Sequence, residues 1–255
     1  MPKPLAGMRI VVTRPREQAD GLFRRLDAEG ATPIPFPTIR IAPMADTTPL
    51  DDAVSHLERY DWIIFTSVNG VVYFWERLGG ANRSSIPKQV RVAAIGPATA
   101  GALRERGCAP EFLPDEFVAE RMLEGLGEVA GKKFLLPRAQ IARKSLPDLL
   151  VSAGALVDDI ATYRTLAETP GDDEMEAIEE GVDVLTFTSS STVRNFAKIF
   201  GERAGVVASE ALIACIGPMT AKTAQDLGFE VGLVAREYTS EGLVDALTRH
   251  LQVTE

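Results

Sequence analysis

Short apolar or near-apolar runs recur along this chain, and between them lie longer stretches with apolar residues three or four positions apart. The runs cover residues 10–12, 63–65, 92–95, 134–136, 184–187 and 212–216. Runs without polar alternation suit parallel strands buried on both faces. The intervening stretches, such as Leu22, Phe23 and Leu26 or Leu146, Leu149 and Leu150, suit helices with one apolar face. Gly30, Gly107, Gly154 and Gly228 fall where such helices end on a left-handed residue. Strands alternating with helices predict an α/β fold with parallel sheets covered on both sides.

The pattern repeats itself. DWIIFTSVNGVVYF (residues 61–74) returns as DVLTFTSSSTVRNF (183–196), and RVAAIGPATAGALRERG (91–107) as LIACIGPMTAKTAQDLG (212–228). DEFVAERMLEGL (115–126) returns as REYTSEGLVDAL (236–247), all at offsets of 121–122. A weaker pair, residues 9–31 and 133–155, precedes them at an offset of 124. The order is a-b-c-a′-b′-c′, and a period this long means duplicated domains rather than a solenoid. Two segments break the rhythm, residues 34–41 and 159–166. Both read as extended, and Pro35 and Pro37 keep the first out of a sheet centre. They fit edge strands or a paired connector equally well.

Each strand runs into a turn of small hydroxyl residues, glycine, proline or arginine. The candidate binding residues are Thr13, Arg14, Ser67, Asn69, Gly96, Thr99, Pro137, Arg138, Ser189, Ser190, Gly217 and Thr220. Strand carboxyl ends form the ligand crevice of open parallel sheets, and the following helices offer free N–H groups suited to carboxylates or phosphates. Taken singly, each turn also reads as a helix cap. Six of them sharing the symmetry of the repeat favour a binding role.

Composition narrows the chemistry. The 255 residues, 45% hydrophobic and 25% charged, suit two globular domains. A net charge of −9 argues against a nucleic-acid partner, so any anionic ligand needs local arginines and backbone N–H groups. No run approaches a membrane span, and the amino terminus lacks a signal peptide, which leads us to expect a cytoplasmic protein. Cys108 and Cys215 read as free thiols, and with His56 and His250 they lack metal-ligand spacing. There is no GxGxxG after the first strand and no GxxxxGK[ST], so neither a nicotinamide nor a nucleoside triphosphate is indicated.

The ordered set VVTRP with Gln18, FTSVNGV, IGPATA, LPRAQIAR, TYRT, FTSSSTV and IGPMTA resembles the uroporphyrinogen-III synthase family over residues 9–247. The resemblance implies two flavodoxin-like parallel-sheet domains joined by a two-stranded antiparallel linker. Residues 1–35 with 167–255 would form one domain and 42–158 the other, with 36–41 and 159–166 as linker strands. The a-type blocks would then be exchanged between halves. The implied activity is that of a cofactor-free hydro-lyase acting on hydroxymethylbilane, a linear tetrapyrrole with eight carboxylate arms. Arg14, Arg138, Arg164, Arg194 and Lys222 would supplement the backbone donors, and Tyr163 matches the family's linker tyrosine as proton donor. A monomer is implied, in transient contact with the deaminase that supplies the substrate. The alternative is a non-enzymatic tetrapyrrole-binding sensor of the same fold, although neither end of the chain leads us to expect an added DNA-binding segment. The sequence departs from its own repeat where Phe117, Val118 and Ala119 replace the hydroxyls of Tyr238, Thr239 and Ser240.

Overall fold

The structure, a computed structural model, describes residues 3–81, 83–116 and 118–252; Phe117 lies outside them. In chain order the elements are β1 (Arg9–Val12), α1 (Asp20–Ala28), β2 (Thr32–Pro35), β3 (Ile39–Pro43), α2 (Thr48–Ser55), β4 (Trp62–Phe65) and α3 (Val68–Gly80). Then come β5 (Arg91–Ala94), α4 (Pro97–Arg104), α5 (Ala119–Leu126), β6 (Lys133–Ala139), α6 (Ser145–Ser152) and β7 (Leu156–Ala167). The last third holds α7 (Asp172–Glu179), β8 (Val184–Phe187), α8 (Ser190–Phe200), α9 (Ala204–Ser209), β9 (Leu212–Cys215), α10 (Pro218–Asp226), β10 (Val231–Val234) and α11 (Ser240–Gln252). These form two compact units, Met1–Ile41 with Leu166–Glu255, and Ala42–Thr165.

The first unit is built on a parallel sheet of order β10-β9-β8-β1-β2. Numbered from β1 within the unit, this is the flavodoxin order 2-1-3-4-5. Successive residues of β1 serve opposite faces: Ile10 and Val12 pack with Leu22, Leu26, Leu243 and Leu247, while Val11 joins Leu185, Phe187, Phe196 and Phe229. That division explains the unbroken apolar run, because each face has its own helix layer to contact. β2 carries Pro33 and Pro35 and lies at the sheet edge, where missing N–H groups interrupt no ladder.

The second unit has the sheet order β3-β7-β6-β4-β5, with β7, β6, β4 and β5 parallel. In β4, Ile63 and Phe65 join one core with Leu135 and Phe74, and Trp62 and Ile64 the other with Phe134 and Met122. The a-type strand of each half pairs with the b-type strand of the other half, Ile10 beside Val184 and Trp62 beside Phe134. One polar detail marks the shared geometry. The carboxylate opening each b block accepts the first N–H of the exchanged strand, Arg9 N to Asp183 and Lys133 N to Asp61, both at 2.7 Å.

The connecting strands differ from the expected ranges. The strand begins at Ile39 rather than residue 36, because Phe36 to Thr38 are anchored in the first unit's core. Phe36 stacks on Phe200, and the Thr38 hydroxyl donates to the carbonyls of Thr13 and Thr192. Residues 159–166 are no separate element but part of β7, which pairs with β6 from Leu156 to Tyr163, with a one-residue slip after Ala161, and neighbours β3. The chain passes between the units twice, within β3 and within β7.

Candidate functional site

In the first unit the strand ends gather Thr13, Arg14, Ser189, Ser190, Gly217 and Thr220. Thr13 is fully buried and its hydroxyl donates to the Thr186 carbonyl at 2.7 Å, while Thr186 donates to the Val11 carbonyl at 2.6 Å. These hydroxyls lace β1 to β8, so Thr13 positions the rim and its side chain does not face it. Arg14 is half-buried and donates to the Ser240 hydroxyl at 2.6 Å. Burial pushes its guanidinium below the ordinary arginine range, against the opposing pull of Glu241.

Ser189 has extended backbone and caps α8, accepting from Thr192 N at 3.2 Å. Ser190 donates to the Met219 carbonyl and accepts from Thr223, joining the starts of α8 and α10. Gly217 precedes Pro218 at the head of α10, and a Cβ there would sit 3.1 Å from the ring of Tyr238. Thr220 is buried in the first turn of α10. Arg194 is exposed on α8, and Lys222 pairs with Asp226.

In the second unit Ser67 caps α3, and its oxygen accepts from Gly70 N at 3.1 Å and from the Tyr163 hydroxyl at 3.0 Å. Tyr163 is 6% exposed and stacks on Tyr73. Burial raises its pKa, and hydrogen bonds with Ser67 and Asn69 partly oppose the rise, so the phenol is protonated at neutral pH. Gly96 and Pro97 open α4 as Gly217 and Pro218 open α10, with Thr99 buried behind them. Arg164 lies in β7 with its Nε buried and unpartnered.

Pro137 and Arg138 depart from expectation. They lie inside β6, opposite Ile160 and Ala161 of β7, and not in a turn. The cause is Asp159 on β7, which takes both Nε and Nη2 of Arg138, while Nη1 donates to the Arg143 carbonyl at 2.6 Å. This tether lets the strand run on to Ala139. Burial works to raise the Asp159 carboxyl, and Arg138 and Lys144 overcome it, holding it below the usual range. Beside the pair opens a pocket of about 520 Å³, walled by Thr66, Ile95, Val118, Arg138, Arg143 and Ser145. Sequence reasoning missed Asp159. Its signal was a carboxylate in the second strand of one repeat, where Pro35 stands in the other.

Among the described residues no group of three or more His, Cys, Asp or Glu side chains is placed to hold a metal ion. Among them, too, no helix is long and apolar enough to cross a membrane. Two flavodoxin-like units, joined by a linker and edged with capped helix starts and arginines, define a two-domain α/β protein with ligand-type strand ends. The family model for uroporphyrinogen-III synthase HemD matches residues 20–245. Uroporphyrinogen-III synthase of Synechococcus elongatus is 34% identical over 99% of this chain and 98% of its own. A putative uroporphyrinogen-III synthase of Methanocaldococcus jannaschii is 32% identical over 94% of this chain and 98% of its own. Among solved structures, a mutant uroporphyrinogen III synthase of Thermus thermophilus superposes with a TM-score of 0.68 at 18% identity, covering 97% of this chain and 100% of that one. The Helicobacter pylori enzyme gives 0.60 at 17%, covering 97% and 99%. The chain belongs to the uroporphyrinogen-III synthase family.

Proposed function

We propose that this chain converts hydroxymethylbilane to uroporphyrinogen III, closing the ring with inversion of ring D and net loss of one water. The observation that carries this reading is the family match along nearly the whole chain. The substrate holds both the leaving group and the nucleophile. Departure of the ring A hydroxyl leaves an azafulvene, the substituted carbon of ring D attacks it, and the resulting spiro intermediate opens and recloses with ring D turned over. The protein's part is to fold the chain into reactive geometry, to exclude direct closure and to assist one proton transfer. The reaction needs no cofactor on this account, and the strand ends hold the carboxylate arms.

Tyr163 supplies the proton for the departing hydroxyl by way of Ser67. The Ser67 oxygen already accepts two hydrogen bonds, from Tyr163 and Gly70 N, so its own O–H is the group left to donate. A phenol kept protonated by burial suits the end of such a chain. Tyr163→Phe should slow turnover without abolishing it; full retention of turnover would remove the acid role. Thr220→Val should raise KM more than it lowers kcat. The decisive assay feeds porphobilinogen and a deaminase to this protein. Mainly type III product is expected, and persistent type I product at saturating protein overturns the enzyme reading and favours a binding module.

A further inference from the structure

Corresponding arginines stand at the carboxyl ends of the two exchanged strands, Arg14 two residues past β1 and Arg138 next to the last residue of β6, and their surroundings are complementary. In the second unit the neighbouring strand places Asp159 opposite Leu136, and its carboxylate takes two N–H groups of Arg138. In the first unit the same register position, opposite Val12, holds Pro35, which has no carboxylate to offer. Among the described residues Arg14 hydrogen-bonds a neutral partner, Ser240, where the second unit has Ala119. Among the described residues no carboxylate forms a salt bridge with Arg14.

Where Asp159 would stand, the first unit has a cavity of about 160 Å³ lined by Arg14, Arg16, Asp20, Phe23, Pro35 and Pro37. That is on the order of five water volumes, room for a carboxylate on a short methylene arm. Its apolar wall of Phe23, Pro35 and Pro37 suits the methylenes, and a guanidinium partly stripped of water suits the carboxylate. The acidic groups nearby do not fill the role. Asp20 is exposed at the start of α1, and Glu241, which acts on Arg14 electrostatically, is paired with Arg25 at 2.5 Å. Arg16 is engaged by Glu174.

We propose that Arg14 and the cavity beside Pro35 form a seat for one carboxylate arm of the ligand, which fills from outside the place Asp159 fills from within in the second unit. The identity of that ligand as a tetrapyrrole rests on the function proposed above; the carboxylate seat does not. Two variants test it in the full chain. Arg14→Gln is expected to raise KM for hydroxymethylbilane about tenfold, with a smaller fall in kcat. Pro35→Asp, which installs the second unit's carboxylate, is expected to raise KM similarly while Tm holds or rises, because the new side chain occupies the seat. An independent readout follows the arginine Nε–H signals by NMR during titration with propionate. The Arg14 signal should move and that of Arg138, already saturated, should not. An unmoved KM in both variants, no response at Arg14, or an equal response at Arg138 overturns the seat. A response at Arg14 alone, alongside only type I product from the wild-type protein, would sink the cyclase reading and leave the seat standing.

Discussion

The two units start from one repeated pattern and arrive at different ends of their leading strands. In both, an apolar strand pairs with a b-type strand from the other half of the chain, and an aspartate secures the first N–H. In both, serine caps the helix that follows the b-type strand. They diverge at the arginine. Arg138 is nearly buried and satisfied by Asp159, whereas Arg14 leans on a hydroxyl and borders a cavity. A shared backbone thus carries a closed ion pair in one copy and an open cation in the other. The difference comes from single residues on neighbouring elements, Asp159 against Pro35 and Ala119 against Ser240.

Breaking the closed pair should have the largest effect on stability. Asp159→Asn leaves Arg138, whose side chain is 5% exposed, without its counter-charge and should cost about 2–3 kcal/mol. Urea unfolding of the full chain, watched for a separate early transition, measures this. The same pair sets an acid limb. Because the folded-state carboxyl lies below its unfolded value near 4, its contribution is complete above that value and is lost as pH falls through the lowered one. Thermal melts from pH 7 to pH 3 should therefore decline less steeply for Asp159→Asn than for the wild type.

A smaller effect is expected from Gly70→Ala. A Cβ there would stand 2.6 Å from the Pro137 carbonyl, so the second unit should lose about 1–3 kcal/mol. The corresponding position of the first unit already carries Thr192, which makes this close approach of helix to strand a property of one copy. Smallest is Ser189→Ala, which removes one cap and should cost about 1 kcal/mol. Ser67→Ala should exceed it, since Tyr163 loses its acceptor as well. Equal losses from the two serine variants would show that the Tyr163 contact adds nothing.

Much of the fold was legible because its strands are buried on both faces, which leaves unbroken apolar runs at residues 10–12 and 63–65. The Gly-Pro and serine starts of α4, α10, α3 and α8 were legible too, because capping chemistry is local. Short edge strands were harder. β10 is half-exposed and lacks the continuous run, and β2 contains two prolines. At the candidate site, local sequence could name Arg138 but not its state. Whether an arginine is free depends on a residue 21 positions away in the adjacent strand, and single-strand patterns carry no record of that pairing. Thr13 shows the same limit: its hydroxyl is committed to a carbonyl 173 positions on.

The exchange of leading strands also sets an order of assembly. The second unit occupies an uninterrupted stretch, Ala42–Thr165, and all its strands leave the ribosome before β8 does. β1 is made ahead of the whole second unit, yet its partner β8 begins 175 positions after Arg9. At typical bacterial and eukaryotic elongation rates of about 5–20 residues per second, β1, α1 and β2 wait roughly 10–35 s for the rest of their sheet. A nascent chain is therefore expected to carry a finished inner unit while β1 still lacks β8 beside it. A strand made ahead of the inner unit is thus expected to be folded after it.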